Sequence, residues 1–218
     1  MIKALVFDFD GLIVETEEPI FHAWQRIYRE HGQELPLERW VMIIGTASGS
    51  FDPIQYLEER VGRSLERQRF DQLERRYYEE ATAMQRLMPG VAEYLQDARG
   101  LRLGVGIASS SRRAWVVAHL KRFAIADAFD AIVCREDVTR TKPDPQLYLE
   151  AVKRLAVMPD EALALEDSTN GIAAAKAAGL HCVAVPTAMT ASLDFSRADL
   201  TIASLGAVPL ADLLAQIG

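Results

Sequence analysis

The chain has 218 residues, half of them apolar and a quarter charged, with 24 Lys and Arg against 31 Asp and Glu for a formal net charge of −7. That composition belongs to a globular protein large enough to bury its own core, and it excludes intrinsic disorder. An acidic balance also weighs against binding the phosphate backbone of nucleic acids, which needs a basic surface.

The first ten residues reach Asp8 and Asp10 before an export signal's apolar core could be completed. The most apolar later stretch, 172–185, is interrupted by Lys176 and His181, so no membrane span is expected. Cys134 and Cys182 are isolated, form no CxxC, and are expected to be small buried hydrophobes. A disulfide-built secreted fold is therefore not expected, and the cytoplasm is the default location. The sequence does not give the oligomeric state; a monomer is slightly favoured.

In chain order, residues 5–7 form a short β-prone run that stops on acidic residues and Gly11. From 17 to 84 the pattern turns helical, with Phe21, Trp24, Ile27 and Tyr28 at three- and four-residue intervals and Gly32 closing the first segment. Residues 65–84 mix Arg and Glu as a solvent-facing helix with internal ion pairs would. After Pro89-Gly90 strands and helices alternate. Strands are predicted at 101–108, 131–134, 162–165, 181–185 and 200–203, and helices at 112–123, 145–155, 168–178 and 208–217.

Repeated βα units predict an α/β fold, a Rossmann-like three-layer core with a parallel sheet between helices. The helical block cannot join that sheet and is most simply an inserted α-helical domain. The expected division is a core of 1–15 and 86–218 with an insertion at 16–85.

Candidate chemistry lies where the predicted strands end. In Asp8-Phe9-Asp10-Gly11 two carboxylates one residue apart would point to the same side of an extended segment. A turn explains Asp10-Gly11 but not Asp8, which follows a buried strand and would be costly to desolvate alone. Ser109, Ser110 and Ser111 precede a helix and read either as an anion seat or as an N-cap. Lys142 stands in Thr141-Lys142-Pro143-Asp144-Pro145, where prolines restrict the backbone; the alternative is a solvated lysine. Glu166-Asp167-Ser168 is a second strand end on adjacent carboxylates, with a helix cap and dipole complement as the alternative. The four histidines show no metal-ligand spacing, and Trp24, Trp40 and Trp115 read as core or domain-interface residues.

Taken together and in this order, the four segments resemble the motifs of the haloacid dehalogenase-like superfamily, in its subgroup with a helical cap inserted after the first strand. The resemblance covers essentially the whole chain. It implies a phosphatase acting on a small phosphorylated metabolite, a sugar phosphate or phosphoglycolate-like acid, through an aspartyl-phosphate. Asp8 would be the nucleophile and Asp10 the general acid and base. Asp8, the backbone carbonyl of Asp10 and Asp167 would hold Mg2+, with Glu166 a further candidate acting through water. Ser109 and Lys142 would bind phosphoryl oxygens, assisted by backbone N–H groups around Gly11 and Ser110.

The family's dehalogenases lack the second aspartate, so Asp10 favours phosphate esters. Its beta-phosphoglucomutase branch offers a His soon after the first motif and a cap loop with Lys and Arg; here those places hold Ile20, Ile44 and Ser48. A phosphomutase is thus the alternative, and a non-catalytic phospho-ligand or protein-binding module a second. Glu15-Thr16 stands where Asp-Thr is usual, which leaves the hinge geometry open.

Overall fold

The computed structural model describes residues 1–41, 43–44, 51–82 and 85–217. Six strands form one parallel sheet in the order β3-β2-β1-β4-β5-β6. They are β1 (Ala4–Phe7), β2 (Gly104–Ala108), β3 (Ala131–Val133), β4 (Ala162–Glu166), β5 (His181–Ala184) and β6 (Leu200–Thr201). The alternation of side chains along each strand divides large from small residues. Leu5, Phe7, Val105, Ile107, Leu163, Leu165 and Val183 fill one face, against α5 (Val91–Gly100), α6 (Arg113–Arg122) and α9 (Leu210–Ile217). Ala4, Val6, Ala108, Ala162, Ala164, Cys182 and Ala184 line the other, where α7 (Gln146–Arg154) and α8 (Thr169–Ala177) lie against mostly small side chains. The result is the expected three-layer, Rossmann-like α/β core. Both cysteines are buried and unbonded.

Between β1 and α5 the chain forms a helical cap of α1 (Glu17–Glu30), α2 (Leu37–Trp40), α3 (Pro53–Val61) and α4 (Arg67–Thr82). It has its own cluster of Phe21, Trp24, Ile27, Tyr28, Leu57 and Phe70, and one core residue, Met189 from the β5–β6 connection, is built into it. A second tie is Asn170 Nδ2, which donates to the Ile44 carbonyl at 3.1 Å. The passages into and out of the cap run side by side: Met88 N–H donates to Ile13 O at 3.0 Å, and the Gln85 side chain donates to Glu15 O.

The structure revises two local expectations. The strand predicted from 101 begins only at Gly104, because the N–H groups of Leu101, Arg102 and Leu103 turn back onto carbonyls of α5 and finish that helix. Helix α4 does carry exposed i,i+4 pairs, Arg75–Glu79 and Arg76–Glu80, yet it also buries Phe70, Tyr77 and Tyr78. Among the described residues no helix is long and apolar enough to cross a membrane.

Candidate active site

The candidate residues meet at the carboxyl edge of the sheet, where open α/β folds bind ligands. Asp8 follows β1, Ser109 follows β2, and Glu166 ends β4 with Asp167 next to it. These strands are neighbours, so register alone brings the segments together: Phe7 lies beside both Ile107 and Leu165. Lys142 enters from the connection after β3. Asp8, Ser109, Lys142, Glu166 and Asp167 are all buried.

Lys142 Nζ donates to Asp8 Oδ1, and to Glu166 Oε1 at 2.6 Å. The Tyr148 hydroxyl donates to the same Glu166 oxygen at 2.5 Å, and Ser168 Oγ donates to Oε2 at 3.1 Å. Both oxygens of Glu166 are therefore engaged by the chain, and its immediate work is to hold Lys142. The solvated-lysine alternative does not hold. Burial opposes the charge on Lys142, but Asp8 and Glu166 outweigh it and hold the ammonium above its ordinary range.

One carboxylate oxygen from each of Asp8, Glu166 and Asp167 lies within 4.8 Å of the others. Three buried acids face a single lysine, and both oxygens of Asp167 are buried without a hydrogen-bond partner. Burial, reinforced by Asp8 and Glu166, pushes Asp167 well above the carboxylate range. Burial likewise pushes Asp8 up to about 7, with Lys142 pulling the other way. Unpaired buried oxygen donors with surplus negative charge fit a hard divalent cation bound through oxygen.

Beside the acidic cluster glycine is needed at two places. At Gly11 (φ +83°) a Cβ would lie 2.2 Å from Asp167 Oδ2, and at Gly171 one would lie 1.9 Å from Glu166 Oε1. The Gly11 N–H donates to Val14 O at 2.8 Å. In this structure Gly11 supplies space beside Asp167, and its own N–H is turned to the chain.

Asp10 stands apart from the three converging acids. Its Oδ1 accepts from Thr16 Oγ1 at 2.8 Å and from Trp115 Nε1 at 2.9 Å, and its Oδ2 accepts from Ser111 Oγ at 2.6 Å. Thr16 is the N-cap residue of α1 but makes no side-chain cap; Glu15 Oε1 takes the N–H groups of Glu17 and Glu18 instead, each at 3.1 Å. Glu15 thus caps the helix, while the Thr16 hydroxyl donates to Asp10.

The three serines precede α6 without capping it. Its N-cap is Arg112, Ser109 Oγ accepts the Ser111 N–H at 3.0 Å, and Ser110 is buried beside them. Ser168 does cap α8, taking the Gly171 N–H at 3.0 Å. Ser48 and the cap loop around it lie outside the described residues.

Sequence reasoning missed Glu17, Trp115 and Tyr148. Burial, then the charges of Asp10 and Glu15, push the Glu17 carboxyl up to about 8, placing a cap acid in the field of the site. Spacing could have offered Glu17 and Trp115, the first position of a helix and one of three tryptophans, but not their direction.

The sequence profile of the haloacid dehalogenase-like hydrolases matches residues 5–185. The chain belongs to this family. It is 46% identical over 214 residues to YhcW of Bacillus subtilis (strain 168), provisionally named a phosphatase, covering 98% of this chain and 97% of that one. A phosphorylated carbohydrates phosphatase of Thermotoga maritima is 30% identical over 182 residues, covering 83% of each. Among solved structures, CbbY of Rhodobacter sphaeroides in complex with phosphate superposes with a TM-score of 0.75 at 27% identity, covering 98% of this chain and 99% of that one. This haloacid dehalogenase-like protein is a hydrolase acting on phosphate esters.

Proposed function

We propose that the protein is a Mg2+-dependent phosphatase that hydrolyses a small sugar phosphate through an aspartyl-phosphate on Asp8. The observation that carries this reading is the buried constellation of Asp8, Lys142 and the two unpartnered oxygens of Asp167. A phosphate dianion approaching a carboxylate meets repulsion, so cationic groups must flank the nucleophile. Mg2+ held by Asp8, Asp167 and the backbone carbonyl of Asp10, with Glu166 beside them, would neutralise charge on the nucleophile and the phosphoryl oxygens.

The chain's own groups then divide the work. Lys142 and Ser109 bind phosphoryl oxygens, while Glu166 and Tyr148 keep the ammonium directed at the site. A carboxylate oxygen of Asp8 attacks phosphorus as the bond to the leaving oxygen breaks, and Asp10 gives that oxygen its proton. In the second step Asp10 removes a proton from water, the water oxygen attacks phosphorus, and the Asp8–phosphorus bond breaks to release inorganic phosphate. Residues 16–85 act as the cap domain over this site, hinged where Glu15 and Gln85 meet, and exclude water during the first step.

The carbohydrate assignment draws on the named Thermotoga relative. Hydrolysis is preferred to phosphomutase chemistry because Ile20 and Ile44 cannot replace a His or a Lys, and Ser48 cannot clamp a second phosphate as Arg would. The partner is the metabolite alone, without nucleic acid or membrane. Two buried, unpaired cysteines suit a reducing cytoplasm.

Phosphate release from a panel of phosphorylated metabolites, with Mg2+ and with EDTA, tests the reading. Release should require the metal, and Asp8→Asn should lower it on the order of 10³-fold or more while the protein stays folded. Undiminished turnover by Asp8→Asn would reject the covalent route.

A further inference from the structure

We propose that Trp115 is a positioning residue for Asp10, and that Trp115, His119 and the cap's Tyr78 form a latch through which the seating of the cap directs the Asp10 carboxylate. The inference rests on the reading of Asp10 as general acid and base.

Asp10 accepts from three donors on its two oxygens, which orients a carboxylate more firmly than any one contact could. Thr16 and Ser111 contribute rotatable hydroxyls. Trp115 contributes an indole N–H, a donor only, whose direction is that of the ring itself. What fixes the ring therefore fixes one side of Asp10.

The ring is held by two others. Its centroid is 4.4 Å from that of His119 and 5.1 Å from that of Tyr78. His119 Nδ1 faces the Trp115 carbonyl at 2.9 Å and so carries a proton; in the neutral ring this leaves Nε2 to accept from the Tyr78 hydroxyl at 3.1 Å. Trp115 and His119 belong to α6 of the core, one helical turn apart, whereas Tyr78 belongs to α4 of the cap. Helix α4 packs along α1, whose N-cap Thr16 is another of Asp10's donors. Two supports of the carboxylate thus travel with the cap, one directly and one through the aromatic stack. An open cleft of about 680 Å³ lies between α4 and α6, bordered by Tyr78, Trp115 and His119.

The consequence falls on proton transfer, because a misdirected acid forfeits much of its effect. The test compares kcat/KM for a sugar phosphate, whose alkoxide must be protonated, with that for p-nitrophenyl phosphate, whose phenolate departs without a proton. Trp115→Phe keeps a ring and removes the N–H. It should lower kcat/KM for the sugar phosphate by about 10-fold and leave the aryl ester within about twofold, a fraction of the effect general acids supply. Tyr78→Phe should show the same selectivity with a smaller loss, and it decides the matter if Trp115→Phe does not fold. An equal loss on both esters would reduce the stack to packing, and no loss on either would remove the latch. Asp10→Asn is the control. If its loss does not depend on the leaving group, the acid–base reading itself fails, whatever Trp115→Phe does.

Discussion

Glu17 makes the fold sensitive to pH from the first residue of α1. Its carboxyl is raised from an ordinary 4.5 to about 8, by burial first and then by Asp10 and Glu15. Between those values the folded chain holds a proton that the unfolded chain has released. Stability must therefore fall as pH rises through that window, and Asp8, raised by burial, acts with the same sign. In EDTA, the urea midpoint should decline from pH 5 to pH 8, and Glu17→Gln should flatten the decline; an equal slope in both proteins would remove Glu17 as a source. At this scale the sequence was readable where a residue's surroundings follow from strand register. Asp8 and Asp167 each follow a strand, β1 and β4 are neighbours, and their meeting needs no side-chain detail. Glu17 and Trp115 were not readable, because their roles depend on how cap and core helices lie against each other.

At the scale of elements, helix α1 begins in an unusual way. Its N-cap hydroxyl is spent on Asp10, and the residue before it accepts the first two helical N–H groups. Glu15→Ala should cost about 1 kcal/mol, the usual worth of a side-chain cap, measured as a shift in the denaturation midpoint. Glu15→Asp tests reach: a shorter side chain that still serves Glu17 and Glu18 should restore most of that loss. The alternation of elements after residue 89 was legible from period alone, since strand and helix patterns differ there over several residues each. The start of β2 was not, because Leu101 and Leu103 are as β-prone as their successors and only the termination of α5 claims them. Helix α4 was half legible: its charges gave the exposed face, while the direction of its aromatic residues follows from α1 for Phe70 and Tyr77 and from α6 for Tyr78.

Across the whole molecule, the site imposes a charge imbalance on an otherwise apolar interior. Three buried carboxylates against one lysine oppose folding when no cation is present. Mg2+ should therefore raise the melting temperature, by about 2.7 kcal/mol of stability at 100 times its dissociation constant. Asp167→Asn should raise the melting temperature in EDTA above that of the parent and abolish the further rise with Mg2+. A lower melting temperature in EDTA would mean that the carboxylate charge of Asp167 supports the fold. The three-layer core and the inserted cap were both legible, because a helical block cannot enter a parallel sheet. The seating of the cap was not, since it depends on individual contacts such as Asn170 with Ile44.

Met189 has a consequence for how such enzymes diversify. It is supplied by the connection after β5, yet it completes the hydrophobic interior of the cap. A chimaera receiving residues 16–85 from a relative would inherit a cap shaped around another side chain at this place, leaving a hole or a clash in its cluster. Cap and β5–β6 connection are thus a unit of exchange, although some hundred residues of sequence separate them. Grafting a new substrate preference onto this core should succeed only when both pieces move together.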